Sequence, residues 1–497
     1  MSITSFAFVA LCLVAIGVYR LLPARFRIAW LFAVSIGFLL TWSWGLTGVL
    51  LVVATVNFFL GQWLGRAETR RRVLLWIGIG FNVLVLVALK YSGFYLPALT
   101  SLLERLGVQT GSGGLKLLVP VGLSFITVQM ISYLVDIHNK VLKPEPRWLD
   151  FALYVIYFPK LLSGPVERAR ILLPKFKQPA SVDAAAVERN FWLIVVGLVR
   201  KLILADMLFS IIPADIFQHP RSFVGQDLAL YLLAYAFVIY NDFAGYTSIV
   251  RGVSGFFGIE LINNFKLPYF SRNFTEFWER WHVSLSQWLR DYIFFPVSRL
   301  LAKKVQNREH IVNLLVPPVV TMLVSGMWHG LGWNFLVWGG LHGLYLFFER
   351  LTTLRGPRRL PDEWPKWRQV LSGLVVFGLA VLAWIPFRMD LVTGWQYLTR
   401  MLSPHAWMLP QIWLVRAVMS GNNTVASWRQ FAFPDVRVLL MLVPALWLDW
   451  MQSSRKSEVF FQKWPAWGKG LFLAIVILAI FLLSFADTGA PFVYQGF

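Results

Sequence analysis

A single cysteine, Cys12, stands in 497 residues, which excludes any intrachain disulfide and any cysteine-built metal site. It falls inside the first apolar run, where a thiol reads as a buried structural side chain rather than a nucleophile. Charge is scarce as well. Only 14% of residues are charged, against about a quarter in an ordinary soluble domain, while 57% are hydrophobic and 16% aromatic. Acidic residues are the scarcer kind, 25 against 46 Lys and Arg, leaving a net charge of +21. Several site motifs are missing: there is no G-x-S-x-G nucleophile elbow, no Walker A loop and no H-E-x-x-H zinc pair. No 20 to 50 residue repeat and no low-complexity segment is visible.

What remains is an all-α polytopic membrane protein. The uncharged windows between Arg27 and Arg66, and between Lys469 and Asp487, are long enough for two spans and one span respectively. The first of these places its turn at Trp44–Gly48. Similar windows add up to about eleven transmembrane helices, with re-entrant and interfacial helices between them. One transmembrane domain over 1–497 is the simplest division: N-terminal spans in 1–115, the chemical core in 116–350, further spans and a tail in 351–497. Basic residues cluster in short loops, at Arg20, Arg25 and Arg27, at Arg66 to Arg72, at Arg299 to Lys304, at Arg355 to Arg359 and at Arg455 to Lys469. The positive-inside bias puts these loops in the cytoplasm and both termini outside. With no charge before Arg20, the first span does not read as a cleaved signal peptide. The basic residues bracket spans and form no continuous face, so they fit anionic membrane lipids and not nucleic acid. Their field would also attract a phosphorylated cytoplasmic donor.

Two stretches carry the candidate chemistry. The first is Glu276–Pro296, EFWERWHVSLSQWLRDYIFFP. On one continuous helix, Phe277, Trp281, Trp288 and Tyr292 share an apolar face. His282 then lies on the neighbouring strip beside Trp278, Glu279 and Leu285, and Glu276 pairs with Arg280 on the wet side. The second stretch is Ser325–His342, SGMWHGLGWNFLVWGGLH, where His329 stands among Trp328, glycines and almost no other polar groups. On a continuous helix His329 and His342 would be about 220° apart, too far round to hold one metal. No histidine has an aspartate five residues on, so no local H-x4-D carboxylate orients a basic imidazole; His329 has Asn334 there. A lone buried histidine is more often a satisfied structural residue. In an apolar span its cost asks for a reason, and desolvation keeps it neutral as a general base must be.

Other interruptions are less specific. Leu117–Phe125 holds Pro120 and Gly122, and reads as a kinked span or as irregular backbone lining a cavity. Pro159–Pro165 reads as a re-entrant hairpin followed by a polar cytoplasmic element, or as a plain loop. In Tyr240–Tyr246, Asn241 and Asp242 end a long apolar run; Asp242 is a functional candidate by its cost alone, or the structural partner of Arg251. Ser403–Pro434 reads as a surface excursion.

The runs FWERWHVSLSQWLRDYIFFP, MWHGLGWNFLVWGGLHG, YNDFAGYTSIVRGVSGFFGI with LINNFKLPYFS, and PVGLSFITVQMISYLVDIH resemble the membrane-bound O-acyltransferase (MBOAT) family. Within it they are similar to the bacterial branch that O-acetylates exported polysaccharides. The likeness runs with gaps from Leu117 to Phe497. It implies His329 as the catalytic residue and His282 as its support; Ser325, Trp328, Trp281 and Asn241 are candidate supporting or tunnel residues, and Asp242 is a candidate to orient or polarise the reacting groups beside His282. It implies a ring of spans around a central tunnel in the bacterial inner membrane, acetyl-CoA as donor substrate with no bound cofactor or metal, and a periplasmic SGNH-type transferase as partner. The tail Phe492–Phe497 resembles the F-x-Y-x-x-F ending of D-alanylation systems, which implies an acyl relay on Tyr494; an interfacial aromatic anchor is the plainer reading. Two alternatives stay open: a multi-span transporter or flippase, and a protein-lipidating MBOAT with a long-chain donor.

Overall fold

The computed structural model describes residues 2–106, 122–305, 311–353, 361–407 and 436–484, and the regular structure among them is helical throughout. The chain forms two compact units, Met1–Ile194 with Tyr246–Asn264, and Val195–Gly245 with Phe265–Phe497. The expected break at Pro120, most of Ser403–Pro434, and Tyr494 lie outside the described residues.

The first unit opens with α1 (Phe6–Leu21), α2 (Ala24–Leu40), α3 (Trp44–Arg66), α4 (Arg71–Lys90) and α5 (Ser92–Arg105), followed by α6 (Leu123–His138), α7 (Trp148–Ile156), α8 (Ala169–Lys177) and α9 (Ala184–Leu198), which runs on into the second unit. Local chemistry sets these starts. The Ser43 hydroxyl accepts from the Leu46 N–H at 3.3 Å, so Trp44 is already helical and the turn comes earlier than the expected Trp44–Gly48. Between α3 and α4, Asn57 and Asn82 exchange side-chain hydrogen bonds of 3.0 and 2.8 Å, satisfying two amides that apolar surroundings would otherwise penalise.

Around Pro159–Pro165 the backbone leaves α7 through a 3-10 turn at Phe158–Lys160, and the segment is buried throughout. Lys160 donates to Gln129 at 2.6 Å and lies over the Tyr154 ring. Glu167 and Arg168, expected in a polar element, are buried too; Glu167 accepts from the Ile262 N–H at 2.6 Å. Gly122 adopts φ 81°, and a Cβ there would meet the Leu161 carbonyl oxygen at 2.2 Å, so only glycine fits.

The second unit continues from α9 through a π-helical stretch, Val199–Asp206, to α10 (Met207–Ile211). Then come α11 (Gly225–Gly255, shared between the units), α12 (Phe274–Arg280), α13 (Val283–Leu289), α14 (Phe295–Val305), α15 (Ile311–His329), α16 (Trp333–Thr353), α17 (Lys366–Arg388), α18 (Leu391–Leu402), α19 (Val436–Arg455) and α20 (Ala466–Ser484). Six helices among the described residues are long and apolar enough to cross a membrane: α3, α4, α11, α15, α17 and α20. Shorter apolar helices are α1 and α6; the estimate of about eleven spans counted apolar windows, continuous or not. α11 is almost wholly buried, whereas α20 turns Leu471, Ile475, Leu478 and Leu482 outward, as a lipid-facing helix does. This is a multi-pass membrane protein.

The single helix expected over Glu276–Pro296 is not formed. α12 stops at Arg280, His282 takes a left-handed conformation (φ 43°, ψ 52°), and α13 starts afresh before a π-helical turn at Arg290–Phe294. Capping fixes the start of α12. Asn273 accepts from the Glu276 N–H at 2.7 Å, and the Glu349 carboxylate on α16 accepts from the Phe274 N–H at 2.6 Å, which holds the start of α12 against α16. The expected Glu276–Arg280 pair does form, at 2.5 Å, with Arg272 as a second partner at 3.0 Å.

Candidate active site

α15 and α16 approach until backbone meets backbone. A Cβ on Gly326 would lie 2.3 Å from the Phe335 carbonyl oxygen, and one on Gly339 would lie 2.4 Å from that of Met322. Glycine at both places lets the two helices close, and His329 is the last residue of α15 at the top of this contact. The imidazole is buried, 5% exposed, and three aromatic rings flank it nearly at right angles: Trp328 at 4.8 Å, Trp338 at 5.0 Å and Phe387 at 5.1 Å. They come from α15, α16 and α17.

His282 is 1% exposed and packs edge-on against Phe243 of α11 at 4.8 Å and against Trp328 at 6.2 Å. Trp328 therefore joins the two histidines that the sequence singles out. His282 lies outside the six candidate spans, and burial pushes its pKa down to about 3, which keeps the ring neutral. Its packing replaces the expected strip of Trp278, Glu279 and Leu285. Ser325, one turn before His329, is fully buried on α15.

The remaining expected residues serve other surroundings. Trp281 stacks on Phe277 at 5.7 Å and touches Phe265 and Trp384, each at 5.1 Å, in an aromatic cluster beside the site. Asn241 accepts from Arg200 at 2.7 Å, and Asp242 pairs with Lys201 at 2.8 Å. Lys201 is thus the shown partner of Asp242, and Arg251 donates to the Leu261 carbonyl. Lys201 also holds Asp206 at 2.7 Å, and Arg200 holds Asp449 at 2.5 Å and Gln452 at 2.8 Å. Two adjacent basic side chains from the π-helical turn so neutralise buried carboxylates from α11 and α19.

His342 was set aside in the sequence because a continuous helix would turn it away from His329. The chain instead reverses between α15 and α16, and both imidazoles lie 5.0 Å from Trp338. His342 also stacks on Phe277 at 6.0 Å and meets Trp278 at 5.0 Å, tying α12 to α16. Phe243, Trp338, Trp384 and Phe387 were not singled out either. Each belongs to an apolar run in which nothing local marks one aromatic from the next. Among the described residues, no three His, Cys, Asp or Glu side chains gather as a metal centre would need.

Residues 138–385 match the model of the MBOAT, membrane-bound O-acyltransferase family. The chain is 31% identical to a probable alginate O-acetylase of Azotobacter vinelandii, with 80% of this chain and 77% of that protein covered. It is also 31% identical to a probable alginate O-acetylase of Pseudomonas aeruginosa, over 85% of this chain and 79% of that one. A peptidoglycan O-acetyltransferase of Helicobacter pylori is 26% identical over 94% of this chain and 91% of its own length. The buried histidines on α15 and before α13 fall within a chain that belongs to the membrane-bound O-acyltransferase family.

Proposed function

We propose that this protein transfers an acetyl group from cytoplasmic acetyl-CoA to a hydroxyl bound for an extracytoplasmic polysaccharide, with His329 as the general base. The carrying observation is His329 itself, a buried imidazole at the end of an apolar helix, joined through Trp328 to a second buried histidine. In the reaction His329 takes the hydroxyl proton as the oxygen attacks the thioester carbonyl. A C–O bond forms, the C–S bond breaks, and the proton passes to the departing thiolate. His282, neutral, polarises or orients the reacting groups; Ser325 and Trp328 line the approach. Asn241 and Asp242 act at one remove, through the ion network that holds α11 in place.

The same reading sets the site in a core formed by residues 116–350, at the floor of a tunnel through a ring of spans in the bacterial inner membrane, with both termini outside. Tyr494 relays the acyl group from that side to a periplasmic SGNH-type partner. The relatives' printed names, alginate O-acetylase and peptidoglycan O-acetyltransferase, support an acetyl donor and a polysaccharide acceptor. Purified protein given radiolabelled acetyl-CoA should release free CoA and label the acceptor, and His329→Ala should abolish this while remaining folded. An intact thioester with wild-type protein would point instead to transport, and full activity in His329→Ala would remove the base.

A further inference from the structure

A base that takes a proton becomes a cation, and the transfer step above turns His329 into an imidazolium inside a largely apolar unit. Such a charge is costly unless its surroundings are arranged for it. The rings around His329 are set at 78° for Trp328, 84° for Trp338 and 75° for Phe387, all with centroids within 5.1 Å. A near-perpendicular pair at these distances is the geometry in which an imidazolium edge can point into a ring face, and cations are attracted to such faces within about 6 Å, more so when water is excluded.

We propose that Trp328, Trp338 and Phe387 form an aromatic box that stabilises the imidazolium form of His329, with Trp338 and Phe387 as positioning residues for the transfer. This rests on His329 acting as the base. The box is built from three separate helices, and two of its walls are braced. Trp338 is held by His342 at 5.0 Å and Trp384 at 6.4 Å, while Phe387 meets Trp338 at 5.2 Å, Trp384 at 5.1 Å and Phe335 at 5.5 Å. Bracing matters because the ring quadrupole acts only at a fixed distance and angle. A neutral imidazole gains little from the box and the cation gains more, so the box favours the state that exists only after proton transfer.

Among the described residues, two titratable groups are shown against the walls of this arrangement. His282 reaches it through Trp328 and His342 through Trp338. On α17, Arg388 follows Phe387 in sequence, but its guanidinium lies over Phe217 and Tyr235. On the π-helical turn packed against α15, Arg290 pairs with Asp291 at 3.2 Å.

The test is the pH–rate profile of purified protein carrying graded changes in the box. Pentafluorophenylalanine at position 387 keeps the ring's shape and reverses its quadrupole, so it leaves packing in place. Trp338→Phe keeps a ring with a weaker face. Each should lower kcat by about 3- to 30-fold with KM little changed, and should move the acid limb of the profile to lower pH, because the imidazolium loses stability and His329 becomes a weaker base. A kcat and an acid limb both unmoved by the fluorinated ring would overturn the box, as would a lost rate with an unmoved limb. His329→Ala separates the two levels: if it keeps full activity, the base reading falls and the box with it. If it is inactive while the fluorinated protein matches wild type, the box alone falls.

Discussion

His329 and His342 sit at the same distance, 5.0 Å, from the indole of Trp338, although they belong to different helices and face different partners. One imidazole closes α15; the other stacks on the Phe277 ring of α12. Trp338 is therefore the shared wall between the residue proposed for chemistry and the helix leading to His282. Four consequences can be measured.

Gly326→Leu should disable the protein without touching any residue of the site. Its Cβ would meet the Phe335 carbonyl oxygen and the α16 backbone, which cannot rotate away as a side chain can. Overpacking alone costs about 1–3 kcal/mol, and a clash with backbone should exceed that. Thermal unfolding in detergent should show a large fall, and acetyl transfer should be lost with it.

Arg200→Met and Asp449→Leu should each destabilise strongly, by roughly 3–5 kcal/mol, because each leaves a buried charge without its partner. The double variant should recover much of that loss. A thermal-stability cycle checks this, and strictly additive losses would show the pair to be uncoupled.

His282 tests backbone and side chain separately. His282→Asn should fold, because asparagine tolerates the left-handed conformation, yet lose most transfer activity for want of the imidazole. His282→Val should also lose stability, since a β-branched residue at φ 43° is strained. Comparing the melting temperatures of the two distinguishes the effects.

Glu276 gives an acid-dependent stability. Burial on its own would raise its pKa, but hydrogen bonds from Arg272 and the charges of Arg280 and Arg272 outweigh it and hold the carboxyl below its ordinary 4.5. A depressed folded-state pKa contributes stability that is fully present above the unfolded value and is lost as pH falls through the folded one. The melting temperature of Glu276→Gln should therefore lie below wild type near neutral pH and converge on it as pH falls through the depressed folded-state pKa.

The sequence made the membrane class, the helical content and the two histidine-bearing runs legible, because composition and apolar windows report on them directly. It also showed Glu276 and Arg280 as partners, since a single helical turn joins them. It did not show the break at His282. A histidine in a left-handed conformation leaves the apolar spacing of its neighbours unchanged. Asp242 was similar. A π-helical turn presents Lys201 to it, a pairing that only three-dimensional packing reveals. The approach of His342 to Trp338 is hidden because the chain reverses at Gly330–Gly332, which helical spacing does not show.

The contact of α15 with α16 is made by main chain at Gly326 and Gly339, so the height of His329 within the unit is registered by two carbonyl oxygens and not by any adjustable side chain. A lineage altering what this site accepts would have to reshape the surroundings of His329, since the helix that carries it is fixed at the main chain.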